Sequence, residues 1–369
     1  MVVLFIFLGY LEIAEDAFKR GDYLTALGYY SEYIKNYPSD FRGYLGRSGV
    51  YLQMGKYDSA YLDLKKVLEL NPRCGEAYIN RSVYYSYKGK YDSALADLNK
   101  AKEILPDKYE VYLHLGTVYE SMGKLSLSLS NFQKALSLNP FSSEACFNIA
   151  RINYKMRRYG SAVKYFKKGI SLEPGYVPAY LMYGKSLYYC RKFKKAIEVF
   201  TKYLSKNKTY EVYYYRGKCY LNLGKVKKAL CDFEEAIRMN LMYGDAYSYR
   251  GLAYAYAGDL RKALSDARMA VKLSSSRINR INLCYINYLS GGNMDELIKE
   301  YIPGDTFAIE MLKGWLEMKK NKRTERLRKC LKFVEREKEM FSEKIFWDIL
   351  KDIKRNDKSL YKEYKRRLK

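Results

Sequence analysis

The chain has a single histidine, His114, so any Ser-His-Asp or Cys-His nucleophilic site would have to be assembled around that one imidazole. No partner motif marks it out, and its place in an apolar stretch of helical period reads as an ordinary helix-surface histidine. Gly-rich phosphate loops, H-E-x-x-H and acidic metal loops are missing from the sequence. The cysteines, Cys74, Cys146, Cys190, Cys219, Cys231, Cys284 and Cys330, are scattered without a C-x-x-C pair. An odd number on helical positions reads as reduced apolar filler, which points to the cytoplasm, with a nuclear or organelle-surface site as alternatives. Asn80-Arg81-Ser82 and Asn207-Lys208-Thr209 match a glycosylation acceptor, but nothing else indicates secretion. No catalytic residue, metal ligand or cofactor is assigned, and the chain is expected not to be an enzyme.

What remains is charge and aromatic surface. Sixty-seven Lys and Arg against 41 Asp and Glu give a formal net charge of +26, accompanied by 42 tyrosines. Residues 313–369 carry +11 of that charge. Such a balance favours acidic partners, whether protein surfaces, nucleic acid or anionic membrane, without choosing among them. Met1 to Leu8 are strongly apolar, yet a membrane span needs about 20 such residues and a signal peptide a basic start. Val2 to Leu8 are therefore expected to begin the first helix; membrane contact would require an anchor missing from this chain.

The elements that position these side chains are set by a period. Pro38, Pro72, Pro106, Pro140 and Pro174 recur every 34 residues, and fixed periods of about 20 to 50 residues mark folds in which each unit needs its neighbours to bury its core. With units starting at 7, 41, 75, 109, 143, 177, 210 and 244, the eighth place is always small: Ala14, Ser48, Ser82, Gly116, Ala150, Gly184, Gly217 and Gly251. So is the twentieth: Ala26, Ala60, Ala94, Ser128, Ala162, Ala196, Ala229 and Ala263. Two helix backbones crossing closely need such residues. A glycine between the two apolar stretches, as at Gly21, Gly55, Gly89, Gly123, Gly224 and Gly258, ends the first helix in a left-handed conformation. The proline ends the second. Arg157 and Arg191 replace the mid-unit glycine, and Lys208 and Leu241 the later prolines.

Tyr112, Leu115, Gly116, Tyr119, Phe132 and Pro140, with Ser128 in the alanine place, make the unit resemble a tetratricopeptide repeat. The resemblance implies an all-α, right-handed superhelical solenoid of about eight to nine repeats with a C-terminal helical cap. Repeats are expected over 1–277. A degenerate ninth copy over 278–304 would use Cys284, Tyr285, Tyr288, Gly292 and Leu297, and a basic helical cap would cover 305–369. Cap helices are expected at 305–320 (Phe307, Met311, Trp315), 323–340 (Leu327, Leu331, Val334) and 343–355 (Phe346, Leu350, Ile353).

In that family, places 2, 5, 6, 9, 12 and 13 of the first helices point toward bound peptide. Here place 9 supplies Arg151, Lys185 and Lys218, and place 13 adds Lys155. Tyr154, Tyr188, Tyr189, Tyr214 and Tyr215 interleave with them, alongside Phe147, and Tyr249 and Tyr256 continue the series. Cations and tyrosines on one wall suit an extended or helical segment bearing carboxylates and apolar groups, and the cations are expected to be exposed. The two-carboxylate clamp of some co-chaperones in this family is disfavoured. Asn80 resembles its middle element, but Leu45, Gly49, Glu110 and His114 occupy flanking places, and Asn148 is flanked no better. The leading reading is a noncatalytic scaffold or adaptor for protein partners with acidic segments. Alternatives are an organelle-surface import receptor or co-chaperone, and an RNA- or ribosome-associated factor using Lys365, Arg366, Arg367 and Lys369.

Overall fold

The computed structural model describes residues 2–292, 296, 306–321, 325–330 and 344–368. Every regular element among them is a helix. They form two compact units, Met1–Arg158 with Ser171–Glu173, and Tyr159–Ile170 with Pro174–Lys369.

The first unit runs α1 (Val2–Lys19), α2 (Tyr23–Asn36), α3 (Phe41–Gln53), α4 (Tyr57–Leu70), α5 (Gly75–Tyr87), α6 (Tyr91–Ile104), α7 (Tyr109–Ser121), α8 (Leu125–Leu138) and α9 (Ser143–Lys155). Consecutive helices pack together, and α1, α3, α5 and α7 also touch one after another. The first helices thus form one layer backed by the second helices, as in a tetratricopeptide solenoid.

In the second unit, α10 (Tyr159–Leu172, its last two residues belonging to the first) is followed by α11 (Val177–Tyr189), α12 (Phe193–Leu204), α13 (Tyr210–Asn222), α14 (Val226–Met239), α15 (Gly244–Ala257), α16 (Leu260–Leu273) and α17 (Arg277–Leu289). The same odd-to-odd contacts join α11, α13, α15 and α17. Among the described residues the next helices are α18 (Thr306–Asn321), α19 (Glu325–Cys330), α20 (Lys344–Asn356) and α21 (Lys358–Arg367). Met311, Trp315, Leu327, Phe346, Leu350, Ile353, Leu360 and Tyr364 join one apolar core with α13 to α17. Leu297, Leu331 and Val334, expected in the ninth repeat and the cap, lie outside the described residues.

Local chemistry explains the helix boundaries. The mid-unit glycines take φ between 70° and 90°, and Arg157 and Arg191 are held at 59° in the same role. A side chain there costs about 1 kcal/mol. Arg157 is exposed, so Arg157→Gly is expected to raise stability by about 1 kcal/mol in urea denaturation; a loss would show that its side-chain contacts outweigh the backbone strain.

Asparagine adds a turn at three of the second-helix ends. Asn71, Asn139 and Asn240 follow the last helical residue, and their Oδ1 atoms accept the amides of Arg73, Phe141 and Met242 at 3.1, 3.2 and 3.1 Å. The asparagine turn forms equally at Asn240-Leu241, where the proline is missing. Proline has a second role: the phenol hydroxyls of Tyr78, Tyr112 and Tyr180 donate to the carbonyls of Pro72, Pro106 and Pro174 at 3.1, 2.9 and 2.9 Å. These bonds tie each first helix to the junction before it.

A further tie recurs in both units. Arg47, Arg81, Arg216 and Arg250 form two-pronged pairs with Asp63, Asp97, Asp232 and Asp266, each sixteen residues on, at 2.7–2.9 Å. Each guanidinium also lies within 6 Å of two tyrosine rings on its own helix, such as Tyr78 and Tyr85 around Arg81. This staple joins the first helix of a pair to its second and consumes charge that composition alone assigns to the surface.

Candidate functional site

The nine stripe residues divide between the units: Arg151, Tyr154 and Lys155 belong to the first, the other six to the second. In the first unit, Glu120 on α7 is nearly buried and accepts both Arg151 Nη2 and Lys155 Nζ on α9 at 2.7 Å. Asn148 Oδ1 accepts from the same Arg151 nitrogen at 2.8 Å. Two cations therefore share one carboxylate, while the side chains of Arg151 and Lys155 remain 43% and 48% exposed. Tyr154 is half-buried beside them on α9.

In the second unit the expected exposure does not hold. Lys185 pairs with Glu211 and lies 4.9 Å from the Tyr215 ring centre. Lys218 is only 4% exposed, with its ammonium 4.5–5.5 Å from the ring centres of Tyr188, Tyr214, Tyr215 and Tyr249. Tyr188 and Tyr214 are buried, whereas Tyr189 and Tyr215 are half-buried. The tyrosines thus close over the lysine through ring faces that attract a cation, and reversing Lys218 would test folding rather than binding. The sequence stripe missed the carboxylates Glu120 and Glu211. They stand at places 12 and 2, which belong to the same first-helix set, so reading acids along with bases would have found them.

Elsewhere in the first unit, a cavity of about 580 Å³ is lined by Leu11, Glu12, Glu15, Phe41, Arg42, Leu45 and Glu76, at first-helix places, with Tyr30 behind them. Its carboxylates have the opposite sign to the expected stripe. The basic end of the chain is docked: Leu360 and Tyr364 are buried, Arg367 meets Glu363 at 3.6 Å, and Lys365 and Arg366 are exposed.

His114 is half-buried on α7 rather than freely at the surface. Loss of solvation pushes its pKa down to about 4. Because the unfolded imidazole titrates near 6.5, the unfolded chain gains a proton that the folded chain refuses between pH 6.5 and 4. Stability present above pH 6.5 is lost as pH falls through that window, by about 2 kcal/mol after allowing for residual solvent contact. His114→Gln is expected to flatten that slope. With one histidine in the chain, the imidazole NMR titration is a single curve, and a midpoint near 6.5 would contradict the burial. Among the described residues no group of three or more His, Cys, Asp or Glu is placed to hold a metal ion. Among the described residues no two cysteines form a disulfide, and no described helix is long and apolar enough to cross a membrane.

Tetratricopeptide repeat models match residues 11–60, 50–109, 109–142, 143–176 and 181–236, together more than half of the chain. The chain belongs to the tetratricopeptide repeat family. No curated protein matches this tetratricopeptide repeat protein in sequence. Among solved structures it is similar to PilF of Pseudomonas aeruginosa, at 17% identity over 57% of this chain and 97% of that one, with a TM-score of 0.52. It is also similar to PilW, described as a widely conserved type IV pilus biogenesis factor, at 20% identity over 55% and 93%, TM-score 0.50. YrrB, described as a tetratricopeptide protein with an unusual peptide-binding site, aligns at 22% identity over 49% and 94%, TM-score 0.45. At these identities the likeness shows the fold alone. The family places this chain among protein-interaction scaffolds, which are in general noncatalytic.

Proposed function

We propose that this tetratricopeptide repeat protein is a noncatalytic adaptor that binds an acidic, partly apolar segment of a protein partner on its first-helix face. Repeats over 1–277, a degenerate ninth over 278–304 and a basic cap over 305–369 remain the division that goes with this reading. The observation that carries it is the Arg151–Glu120–Lys155 cluster. Glu120 fixes two cations in place, so less side-chain entropy is lost when a partner carboxylate arrives. Tyr154, one residue before Lys155, offers apolar area with a polar tip. Of the stripe read from the sequence, Lys185, Tyr188, Tyr189, Tyr214, Tyr215 and Lys218 are assigned a secondary role, since their cations are engaged with Glu211 and with tyrosine rings.

The test is selection of short segments from a random peptide library on the full chain. Enrichment of Asp- or Glu-containing segments with aromatic or aliphatic neighbours is expected, with affinity falling as salt rises. Enrichment of basic segments, or none, would reject the reading.

A further inference from the structure

The first-helix face of the second unit already carries an occupant. On α15, the Tyr256 hydroxyl donates to Asp348 Oδ2 of α20 at 2.6 Å, joining residues 92 apart in sequence. On α17, the rings of Tyr285 and Tyr288 lie 5.6 and 6.0 Å from the indole of Trp315 on α18. That indole in turn donates Nε1–H to Asp352 Oδ2 of α20 at 2.9 Å. Tyr256 stands at place 13 of its helix, and Tyr285 and Tyr288 at places 9 and 12 when counted from the first residue of α17. These are the places that bind peptide in the family.

The occupant's chemistry is specific. On α20, Phe346, Ile349, Leu350 and Ile353 form a buried apolar face at i, i+3, i+4 and i+7, and Asp348 and Asp352 stand one turn apart on its flank. Burial pushes the phenols of Tyr256 and Tyr285 up, the latter to about 12. Tyr256 therefore stays protonated and donates to the Asp348 carboxylate, with Tyr285 beside it. A tyrosine face that donates to one carboxylate and packs against an indole matches an apolar helix with an acidic flank, here α20, braced by the indole of α18.

We propose that the α15–α17 face is a seat for an amphipathic partner helix with a carboxylate placed to meet Tyr256, and that α18 and α20 are a built-in occupant which such a helix must displace. This seat uses neither Arg151 nor Lys155, so it stands or falls separately from the adaptor reading above.

The probe is a labelled synthetic peptide of residues 344–356, added to the full chain and followed by fluorescence anisotropy. Wild-type chain, with its seat filled, is expected to bind at least tenfold more weakly than a chain carrying Trp315→Ala with Asp348→Asn. A probe with Asp348→Asn is expected to lose at least tenfold on the loosened chain. Equal binding by both chains, or equal binding of both probes, would overturn the proposal. Hydrogen exchange in α15 and α17 reports whether the double variant keeps its repeats. If it does not, Tyr256→Phe supplies the answer: amide exchange in α20 is expected to rise about tenfold while α15 is unchanged, and unchanged exchange in α20 would overturn the proposal.

Discussion

Arg81→Leu is expected to destabilise the α5–α6 pair by about 3 kcal/mol, and adding Asp97→Asn is expected to restore most of that loss. Arg81 and Asp97 are 21% and 8% exposed as side chains and joined by two bonds of 2.7 Å. Removing the guanidinium alone strands a carboxylate in a nearly dry contact, which is far more costly than never having buried it. The double variant copies a solution used elsewhere in the same chain. The repeat that starts at Tyr109 carries Leu115 and Asn131 at these two places, and the next two carry Ile149 with Tyr165 and Tyr183 with Val199. Wherever the arginine is absent the aspartate is absent too. Because repeats unfold in part independently, local hydrogen exchange in α5 and α6 is the appropriate readout, alongside urea denaturation. A single variant within about 0.5 kcal/mol of wild type would show the staple to be a surface ion pair of little weight.

Gly184→Ala is expected to lower stability by about 2–3 kcal/mol, whereas Gly28→Ala is expected to raise it by about 0.5–1 kcal/mol. Both glycines lie inside helices, where alanine is intrinsically preferred. The difference is what a new methyl group meets. At Gly184 it would fall 2.2 Å from Cε1 of Phe200, a ring that is 0% exposed and has nowhere to move. At Gly28 nothing lies within 4 Å. The same close approach recurs at Gly116 on Phe132 and Gly217 on Phe233, so the eighth place and the twenty-fourth are two sides of one contact. Opposite signs for the two alanine variants in urea denaturation confirm it; a stabilising Gly184→Ala would contradict the packing.

These contacts explain what could be read from the sequence. First helices begin at Phe41, Gly75, Tyr109, Ser143, Val177, Tyr210 and Gly244, the residues at which the spacing starts its units. Place 8 is kept small by the ring at place 24, as at Gly116, Gly184 and Gly217, or by the backbone of place 20, as at Gly251, so small residues recur in phase and are visible as letters. Turn chemistry was visible only in part. Glycine and proline stand out, but the turns that Asn71, Asn139 and Asn240 add at the second-helix ends do not, and Arg157 and Arg191 show that packing can hold a non-glycine residue in the left-handed region.

The site was less legible because charge was counted rather than paired. Arg151, Lys155 and Lys185 read from the sequence as exposed cations, while Glu120 and Glu211, in neighbouring repeats, pair with them. Lys218 was placed among the right tyrosines, but burial within them turns a contact residue into a structural one. The Tyr256–Asp348 bond spans 92 residues with no period to announce it. Periodicity reveals what each repeat shares; the exceptions that distinguish this chain come from pairs across repeats.

Partner binding is expected to depend on the first-helix face and not on net positive charge. The direct measurement compares two full-length variants with identical changes in charge, using the acidic segment selected from the library. Arg151→Glu with Lys155→Glu alters the cluster on α9, and Lys65→Glu with Lys100→Glu alters exposed lysines on the second helices α4 and α6. The first pair is expected to weaken binding at least tenfold, the second by less than twofold at 0.15 M salt, where charges beyond about 8 Å are screened. Equal losses from the two pairs would contradict the claim, leaving overall charge as the source of binding.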